Sequence, residues 1–362
     1  MTFRSTRWLA ALLASGVMAS GVLGAAQAQV GGQAAPVLSN ALFGGAARGP
    51  AGTYLLPGGV SVLLSQNQGF LMSGTVQVKY TAPAAQPAAA PGTSTQGSGG
   101  PNSAVARVAQ VIGVLSGYGE ELAGPLEAFL NRPDVAAQLA QGFSVGAEEY
   151  LLSAKTEGGV LKVTLSLPQV DARAFQAVKT LRPARTPSAR PVVVRVYSDF
   201  QCPYCQKFET ETLPTLLAKL PDDVSVEFHH FPLEQIHPLA RPSAEASECA
   251  SQQGKFWAYK DALFTDRSWL ASNPQEVFVR LAGKVGLNVA AFQKCVESRA
   301  GKAAVDAGLQ EALRLNLNGT PTVFVNGFRA GNAYDANGLL NLIAFARVAG
   351  TLPTPAATPA RP

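Results

Sequence analysis

Residues 191–205 read PVVVRVYSDFQCPYC. The β-branched run at the start of this stretch is typical of a buried central strand. Cys202 and Cys205 follow within a few residues, and Pro203 between them suits the first turn of a helix, where its missing N–H costs nothing. The stretch therefore predicts a strand, a cysteine pair and a helix, in that order.

A cysteine at a helix start has unusual chemistry. The free amides of the first turn point at the sulfur of Cys202, and together with the helix dipole they lower thiol pKa values from about 8.5 to roughly 3.5–7.5. A lowering of about 2 units stabilises the reduced form by about 2.7 kcal/mol, which makes the disulfide a better oxidant. We therefore predict a redox-active pair, in which Cys202 is attacked by a substrate thiol and forms a mixed disulfide with it, and Cys205 is the resolving thiol.

Two other interpretations of the pair are open. It could be half of a zinc site completed by other side chains, although structural zinc normally uses two closely spaced pairs. The candidates for the remaining ligands are Cys249, Cys295, His229, His230 and His237. It could also be a purely structural bridge, but so short a loop adds little stability by closure entropy. We expect neither a metal nor a cofactor.

The remaining cysteines suggest a second disulfide. Four cysteines allow three pairings, and only a bridge between Cys249 and Cys295 leaves the redox pair free to cycle. We predict that structural disulfide, with two buried free thiols as the alternative. The adjacent His229 and His230 alternate faces on a predicted strand, so at most one of them should face the core.

The first residues have the pattern of an export signal. Arg4 and Arg7 precede an apolar run, and small residues end it at Ala28, so we expect residues 1–28 to be a cleaved signal peptide. The protein would then be periplasmic or otherwise extracytoplasmic, where disulfides persist; an uncleaved membrane anchor is the alternative. Without the leader the formal charge falls from +5 to +3, which gives no reason to expect nucleic acid as a partner.

The 362 residues are enough for two domains. Residues 29–181 alternate predicted strands and helices and should form a small α+β domain of unknown fold, interrupted at 82–103 by a flexible linker or loop that has almost nothing to bury. Residues 182–191, RPARTPSARP, combine three arginines with three prolines and predict an inter-domain linker.

The second predicted domain, residues 192–348, is of the α/β class. A βαβ unit is followed by helical segments at about 238–315, the last of them over 289–315, which we interpret as an insertion. A β-hairpin turning at Asn326 and a closing helix follow. Residues 349–362 should be a disordered tail.

Four motifs in the second domain resemble one family. They read VYSDFQCPYC, then HHFPL with a following HP, then GKFWAYKDALF, then NGTPTVFVNG. In this order they are similar to the DsbA-like thioredoxin-fold disulfide oxidoreductases, over roughly residues 190–348. The resemblance implies a thioredoxin fold with an inserted helical domain, preceded by an unrecognised N-terminal half.

The resemblance also implies roles for individual residues. Cys202 would be the exposed nucleophile, and Thr320-Pro321 would form a cis-proline loop that offers the Thr320 backbone to an extended substrate. Pro203, Tyr204, Thr320 and Pro321 would thus bind substrate. One departure is Val196, because family members often have a buried acid there. Proton transfer would need another route, through Asp199 or water, unless Asp199 is a turn or capping residue.

The expected function is a thiol:disulfide oxidase that introduces disulfides into exported proteins. Its partners would be unfolded or partly folded exported proteins with free thiols, and a membrane-linked protein that reoxidises it. Two alternatives are open: a disulfide isomerase or reductase that dimerises through residues 29–181, and a client-binding chaperone with a secondary redox site.

Overall fold

The computed structural model of the chain describes residues 29–81, 104–147, 149–189, 191–271 and 273–350. The predicted signal peptide, the predicted loop at 82–103 and nearly all of the predicted tail lie outside these residues. The chain divides into two compact units. The first, the N-terminal unit, consists of the residues up to Pro168 together with those from Val348 onward, and the second, the C-terminal unit, is Gln169–Arg347. None of the helices in the described ranges has the length and apolar character needed to cross a membrane.

The described part of the N-terminal unit is a seven-stranded antiparallel sheet with helices. Its strands follow the order β1-β2-β3-β4-β7-β6-β5. The strands are β1 (Ala47–Arg48), β2 (Tyr54–Leu56), β3 (Val60–Asn67), β4 (Phe70–Lys79), β5 (Phe143–Ala147), β6 (Tyr150–Glu157) and β7 (Val160–Ser166). The helices are α1 (Ala34–Leu38), α2 (Ala104–Ser116), α3 (Glu120–Leu130) and α4 (Pro133–Gln138).

Alternation along the strands gives this sheet one buried face. Val76 of β4 and Val163 of β7 are paired in register and fully buried, while their chain neighbours Thr75 and Thr164 are only partly buried. Helix α2 packs against the buried face. At Gly74 a Cβ would lie 2.5 Å from a methyl carbon of Leu115, so glycine allows the close approach of this helix.

The C-terminal unit is built around a five-stranded sheet of order β12-β11-β9-β10-β8. Its strands are β8 (Leu181–Arg182), β9 (Val192–Ser198), β10 (Val224–His230), β11 (Thr322–Val325) and β12 (Phe328–Arg329). Its helices are α5 (Pro203–Lys207), α6 (Leu213–Lys219), α7 (Ala240–Ser251), α8 (Phe256–Thr265), α9 (Pro274–Lys284), α10 (Val289–Glu297), α11 (Lys302–Arg314) and α12 (Ala336–Ala349).

The central strand β9 positions the cysteine pair. It runs parallel to β10 and antiparallel to β11, and its alternate residues Val192, Val194 and Val196 are buried. The parallel pair requires a crossover, which helices α5 and α6 provide together with the π-helical turn Phe208–Thr212 between them. The pair therefore lies where the chain leaves the carboxyl end of β9 and enters the crossover helix.

The region predicted as a helical insertion contains helices α7 to α11, and one predicted helix is divided. The sequence pattern predicted a helix over 289–315, but α10 ends at Glu297 and α11 begins at Lys302. Arg299 adopts a left-handed conformation with φ of 52°. A Cβ at Gly301 would lie 2.5 Å from the carbonyl oxygen of Glu245, so the close approach of α7 explains the glycine at this break.

The boundary between the units differs from the predicted one. Residues 169–181, expected in the N-terminal domain, belong to the C-terminal unit, and the expected linker contributes its first residue to a strand. Leu181 and Arg182 pair antiparallel with Glu227 and Val226. Without β8, strand β10 would be a sheet edge with unpaired backbone groups, and this explains why a proline-rich segment holds a short strand.

The prediction that at most one of His229 and His230 faces the core is wrong. Both are buried, because helices cover β10 on both faces. Nδ1 of His229 lies 2.7 Å from the carboxylate of Glu311 on α11, and Nε2 of His230 lies 2.8 Å from Glu248 on α7.

Candidate redox site

Cys202 caps the helix that carries Cys205. Its backbone is extended, with φ of −64° and ψ of 125°, and Pro203 occupies the first helical turn. Cys205 lies one turn further along, on the buried side of the helix, and both cysteines are free thiols. The segment from Pro203 to Lys219 is helical throughout apart from its π-helical turn.

The surroundings of Cys202 favour its thiolate. A hydrogen bond from the Cys205 thiol is the largest influence, and the backbone amides of Cys205 and Tyr204 and the side chain of Thr320 act in the same direction. Burial opposes them but is outweighed, and the pKa of Cys202 is lowered to about 6. A thiol with this pKa is about nine-tenths ionised at pH 7.

Cys205 has the opposite character. Burial raises the pKa of its thiol well above the ordinary value, and the neighbouring Cys202 sulfur raises it further. The Ser198 and Thr320 side chains act against this without overcoming it. The backbone N–H of Asp199 donates to the Cys205 sulfur at 3.4 Å. The pair thus consists of one thiol that ionises readily and one that holds its proton.

The loop before β11 lies against Cys202. The Thr320-Pro321 peptide bond is cis, and Sγ of Cys202 donates to the carbonyl oxygen of Thr320 at 3.6 Å. As a result Cys202 is only 3% exposed, less than expected of an exposed nucleophile. Tyr204 beside it is 61% exposed, so the surface around the sulfur is more open than the sulfur itself.

Asp199 holds the loops around the pair. Its Oδ1 accepts from the N–H of Gln201 at 2.7 Å, and its Oδ2 accepts from the N–H of Leu233 at 2.9 Å. Nδ1 of His237 lies 2.7 Å from the same Oδ2. The Asp199 carboxylate therefore holds the turn before Cys202, as expected of a turn residue. It also connects the segment after β10 to the segment before Cys202.

Arg267 is a site residue that the sequence did not reveal. It begins the 3₁₀ turn Arg267–Leu270 in the insertion, and it donates to the carbonyl oxygens of Phe200 and Gln201 at 2.6 and 2.7 Å. These carbonyls belong to the two residues before Cys202. Arg267 is more than sixty residues away from them in the sequence, and no motif predicted the contact.

The other two cysteines lie apart in the chain and are joined. Cys249 of α7 and Cys295 of α10 form a disulfide with a Cα–Cα distance of 5.7 Å. The histidines considered as zinc ligands contact carboxylates instead, as described for His229, His230 and His237. Over the described ranges, no cluster of three or more His, Cys, Asp or Glu side chains is arranged to hold a metal ion.

Relatives with curated names match over less than half of the chain. The "Na(+)/H(+) antiporter NhaA 1" of Mycolicibacterium vanbaalenii is 35% identical over 155 residues, which are 42% of this chain and 24% of that protein. The "Na(+)/H(+) antiporter NhaA 3" of Salinispora tropica is 35% identical over 157 residues, 43% of this chain and 23% of that protein. The chain thus spans about a quarter of the length of these relatives.

Solved structures resemble the chain over a similar share. A thioredoxin-like oxidoreductase from Silicibacter pomeroyi covers 43% of this chain and 86% of its own, with 24% identity and a TM-score of 0.37. BdbD from Bacillus subtilis covers 49% and 94%, with 19% identity and a TM-score of 0.40. MdbA, a thiol-disulfide oxidoreductase from Corynebacterium diphtheriae, covers 44% and 88%, with 18% identity and a TM-score of 0.40.

A family model described as Thioredoxin matches residues 186–344. The matched segment contains the cysteine pair, the cis-proline loop and the helices between them. Residues 186–344 therefore form a domain of thioredoxin fold.

Proposed function

We propose that this protein is a thiol:disulfide oxidoreductase acting as an oxidase, which passes the disulfide between Cys202 and Cys205 to thiols of exported proteins. The observation that carries the proposal is the contrast within the pair, because the pKa of Cys202 is lowered to about 6 while that of Cys205 is raised. A thiolate that is stabilised in the reduced state makes the disulfide more oxidising.

The first step is attack of a substrate thiolate on the Cys202 sulfur. The bond between Cys202 and Cys205 breaks, and a mixed disulfide forms between the substrate and Cys202. Cys205 leaves with the electron pair and takes up a proton, because its buried site disfavours the charge.

The second step releases the product. A second substrate thiolate attacks the substrate sulfur of the mixed disulfide, and Cys202 departs as the thiolate that its surroundings favour. Two electrons have then moved from two substrate thiols to the pair. Low basicity of the departing thiolate speeds this step, since thiols of lower pKa leave faster.

The surface beside the pair suits an unfolded substrate. Two large side chains there are in contact with solvent: Tyr204 is 61% exposed and Tyr334 is 36% exposed. Ile236, which precedes His237 in the chain, is 69% exposed. The Tyr334 hydroxyl donates to the carbonyl oxygen of Tyr204 at 3.3 Å, which joins the two tyrosines into one surface. We infer that Pro203, Tyr204 and the Thr320-Pro321 loop contact an extended, partly apolar segment of the substrate.

The compartment and the partners complete the proposal. The leader pattern at residues 1–28 supports an extracytoplasmic location, where exported proteins with free thiols would be the substrates. Turnover requires an acceptor for the two electrons, and we propose a membrane-linked reoxidising protein for that role. The N-terminal unit could provide a homodimer contact.

The reduction potential of the pair tests the proposal. The protein is equilibrated with glutathione redox buffers, and the ratio of disulfide to dithiol is measured by alkylation and mass. An oxidase should lie near the oxidising end, above about −180 mV, whereas a value near the −270 mV of thioredoxin would indicate a reductase and overturn the oxidase assignment. A Cys249→Ala, Cys295→Ala variant is the control, because it retains only the pair under test.

A further inference from the structure

Arg267 reaches the cysteine pair from the helical insertion. Its Nη1 donates to the carbonyl oxygen of Phe200 at 2.6 Å, and its Nη2 donates to that of Gln201 at 2.7 Å. The planar fork of the guanidinium fits two neighbouring acceptors, which an ammonium group cannot match with the same geometry. One side chain thus holds two consecutive carbonyls of the segment that leads into Cys202.

The guanidinium of Arg267 contacts backbone carbonyls and not a carboxylate. Among the described residues Arg267 forms no ion pair, whereas Arg280 of the same insertion pairs with Asp266 at 2.9 Å. Burial of the partly exposed Arg267 lowers its pKa, while negative charge on Asp199, Cys202 and Cys205 acts in the opposite direction. An arginine nevertheless stays charged at any physiological pH.

Several ionisable groups face Cys202 from the elements around it. Cys205 lies on the same helix, Asp199 precedes the pair, Tyr334 lies before α12, and Arg267 comes from the insertion. Of these four, Arg267 carries the permanent positive charge.

We propose that Arg267 is a positioning residue of the redox site, which fixes the Phe200 and Gln201 carbonyls and supplies the counter-charge for the Cys202 thiolate. This inference rests on the proposed thiol–disulfide exchange. Reduction of the pair takes two electrons from two substrate thiols and ends with a thiolate at Cys202 and a thiol at Cys205. A fixed cation stabilises only this reduced, charged product, so it shifts the equilibrium toward oxidation of the substrate.

The test replaces Arg267 and follows Cys202. In Arg267→Gln, the thiolate absorbance of Cys202 in the ultraviolet should titrate about one unit higher, because the lost charge is partly screened by solvent. The equilibrium constant for oxidising glutathione should fall by up to about tenfold, or about 30 mV in potential. Arg267→Lys keeps the charge but not the fork and should lie between the variant and the wild type. Arg299→Gln removes another arginine of the insertion, one that pairs with Glu245 at 2.6 Å; it is the control and should change neither quantity.

The outcomes separate the two proposals. If Arg267→Gln is folded and titrates as the wild type does, Arg267 has no such role. Should Arg267→Gln fail to fold, Arg267→Lys decides, because the inference requires the fork of the guanidinium as well as its charge. An unaltered Cys202 titration and an unaltered potential in Arg267→Lys would overturn the inference. If the wild-type Cys202 itself titrates near the ordinary thiol value, the proposed function fails before Arg267 is at issue.

Discussion

The sulfur of Cys202 lies 3.6 Å from the carbonyl oxygen of Thr320, the residue before the cis-proline. As a thiol, Cys202 donates to this oxygen; as a thiolate it has no hydrogen to donate. Ionisation of Cys202 therefore frees the Thr320 carbonyl for another donor. A backbone N–H of an extended substrate would be such a donor, and it would place the substrate chain beside the reactive sulfur.

The two cysteines should fail in different ways when each is replaced. Cys202→Ser should abolish exchange with a dithiol peptide, because the attacked sulfur is gone. Cys205→Ser should form mixed disulfides that persist, because no resolving thiol remains within reach. Non-reducing gels and mass measurement after mixing with a cysteine peptide distinguish the two results. Full turnover by Cys202→Ser would contradict the assignment of the nucleophile.

The hydrogen bond from Cys205 should set much of the acidity of Cys202. A hydrogen bond to a charged group contributes about 1.5–3 kcal/mol, or about one to two pKa units. Cys205→Ala should therefore raise the pKa of Cys202 from about 6 by that amount. Cys205→Ser keeps a donor and serves as the matched control with a smaller rise. The pH dependence of alkylation by iodoacetamide measures both, and equal values in the two variants would exclude this origin of the acidity.

The reduced protein should gain stability relative to the oxidised protein as the pH rises from about 6 to about 8.5. The folded pKa of Cys202 lies below the unfolded value of about 8.5, so its contribution is present above that value and is lost as the pH falls through about 6. Above about 8.5 the raised pKa of Cys205 acts in the opposite direction, because the unfolded thiol ionises first. Urea unfolding of both forms across this range tests the trend, and the oxidised form, which has no titrating thiol in the pair, is the control. A constant difference between the two forms would contradict it.

The elements around the pair were predictable because their signals are local. The run at Val192–Ser198 is rich in valine, and the proline after Cys202 marks a helix start, so strand, pair and helix follow from neighbouring residues. The break between α10 and α11 was not predictable, because it depends on how closely Gly301 approaches the backbone of Glu245 in another helix.

The contacts that support the site join residues far apart in the sequence, so local signals do not predict them. No sequence signal marked Arg267, and His237 was noted only as a candidate zinc ligand and as part of a motif. Only the folded chain brings these two residues to the segment before Cys202. The burial of both His229 and His230 likewise depends on helices that cover each face of β10. Periodicity describes which face a side chain takes, but it does not say whether that face is covered.

The bridge between Cys249 and Cys295 should stabilise the insertion without taking part in exchange. Closing a loop of this length adds about 4 kcal/mol in the chain-entropy model. The double variant Cys249→Ala, Cys295→Ala should therefore lower the melting temperature and leave the potential of the catalytic pair unchanged. Calorimetry and the glutathione equilibrium measure these separately. Loss of exchange at unchanged stability would instead indicate a redox role for the second pair.

A buried polar cluster on the other side of the sheet should govern stability in a pH-dependent way. The carboxylate of Glu311 lies 2.7 Å from Nδ1 of His229, and it accepts from the Tyr197 hydroxyl at 2.6 Å and from the backbone N–H of Gln176. Burial alone would raise the pKa of Glu311 and lower that of His229. The contacts of Glu311 with His229 and Tyr197 outweigh burial and lower its pKa, and the contacts of His229 with Glu227 and Glu311 outweigh burial and raise its pKa.

Glu311→Ala should cost about 3–5 kcal/mol of unfolding free energy, because it removes a buried carboxylate partner of His229 and leaves the Tyr197 hydroxyl and the Gln176 N–H without an acceptor. Glu227 remains as the second carboxylate partner of His229, at 3.2 Å. The lowered pKa of Glu311 gives stability that is present above about 4.3 and lost on acidification. The raised pKa of His229 gives stability that is present below about 6.5 and lost as the pH rises through the folded value. The loss in Glu311→Ala should therefore be largest between these values and smaller at pH 8. Urea unfolding at several pH values tests this, with the exposed Gln310→Ala on the same helix as a control expected to change stability by less than about 0.5 kcal/mol. A loss that is independent of pH would show that the cluster acts through packing rather than charge.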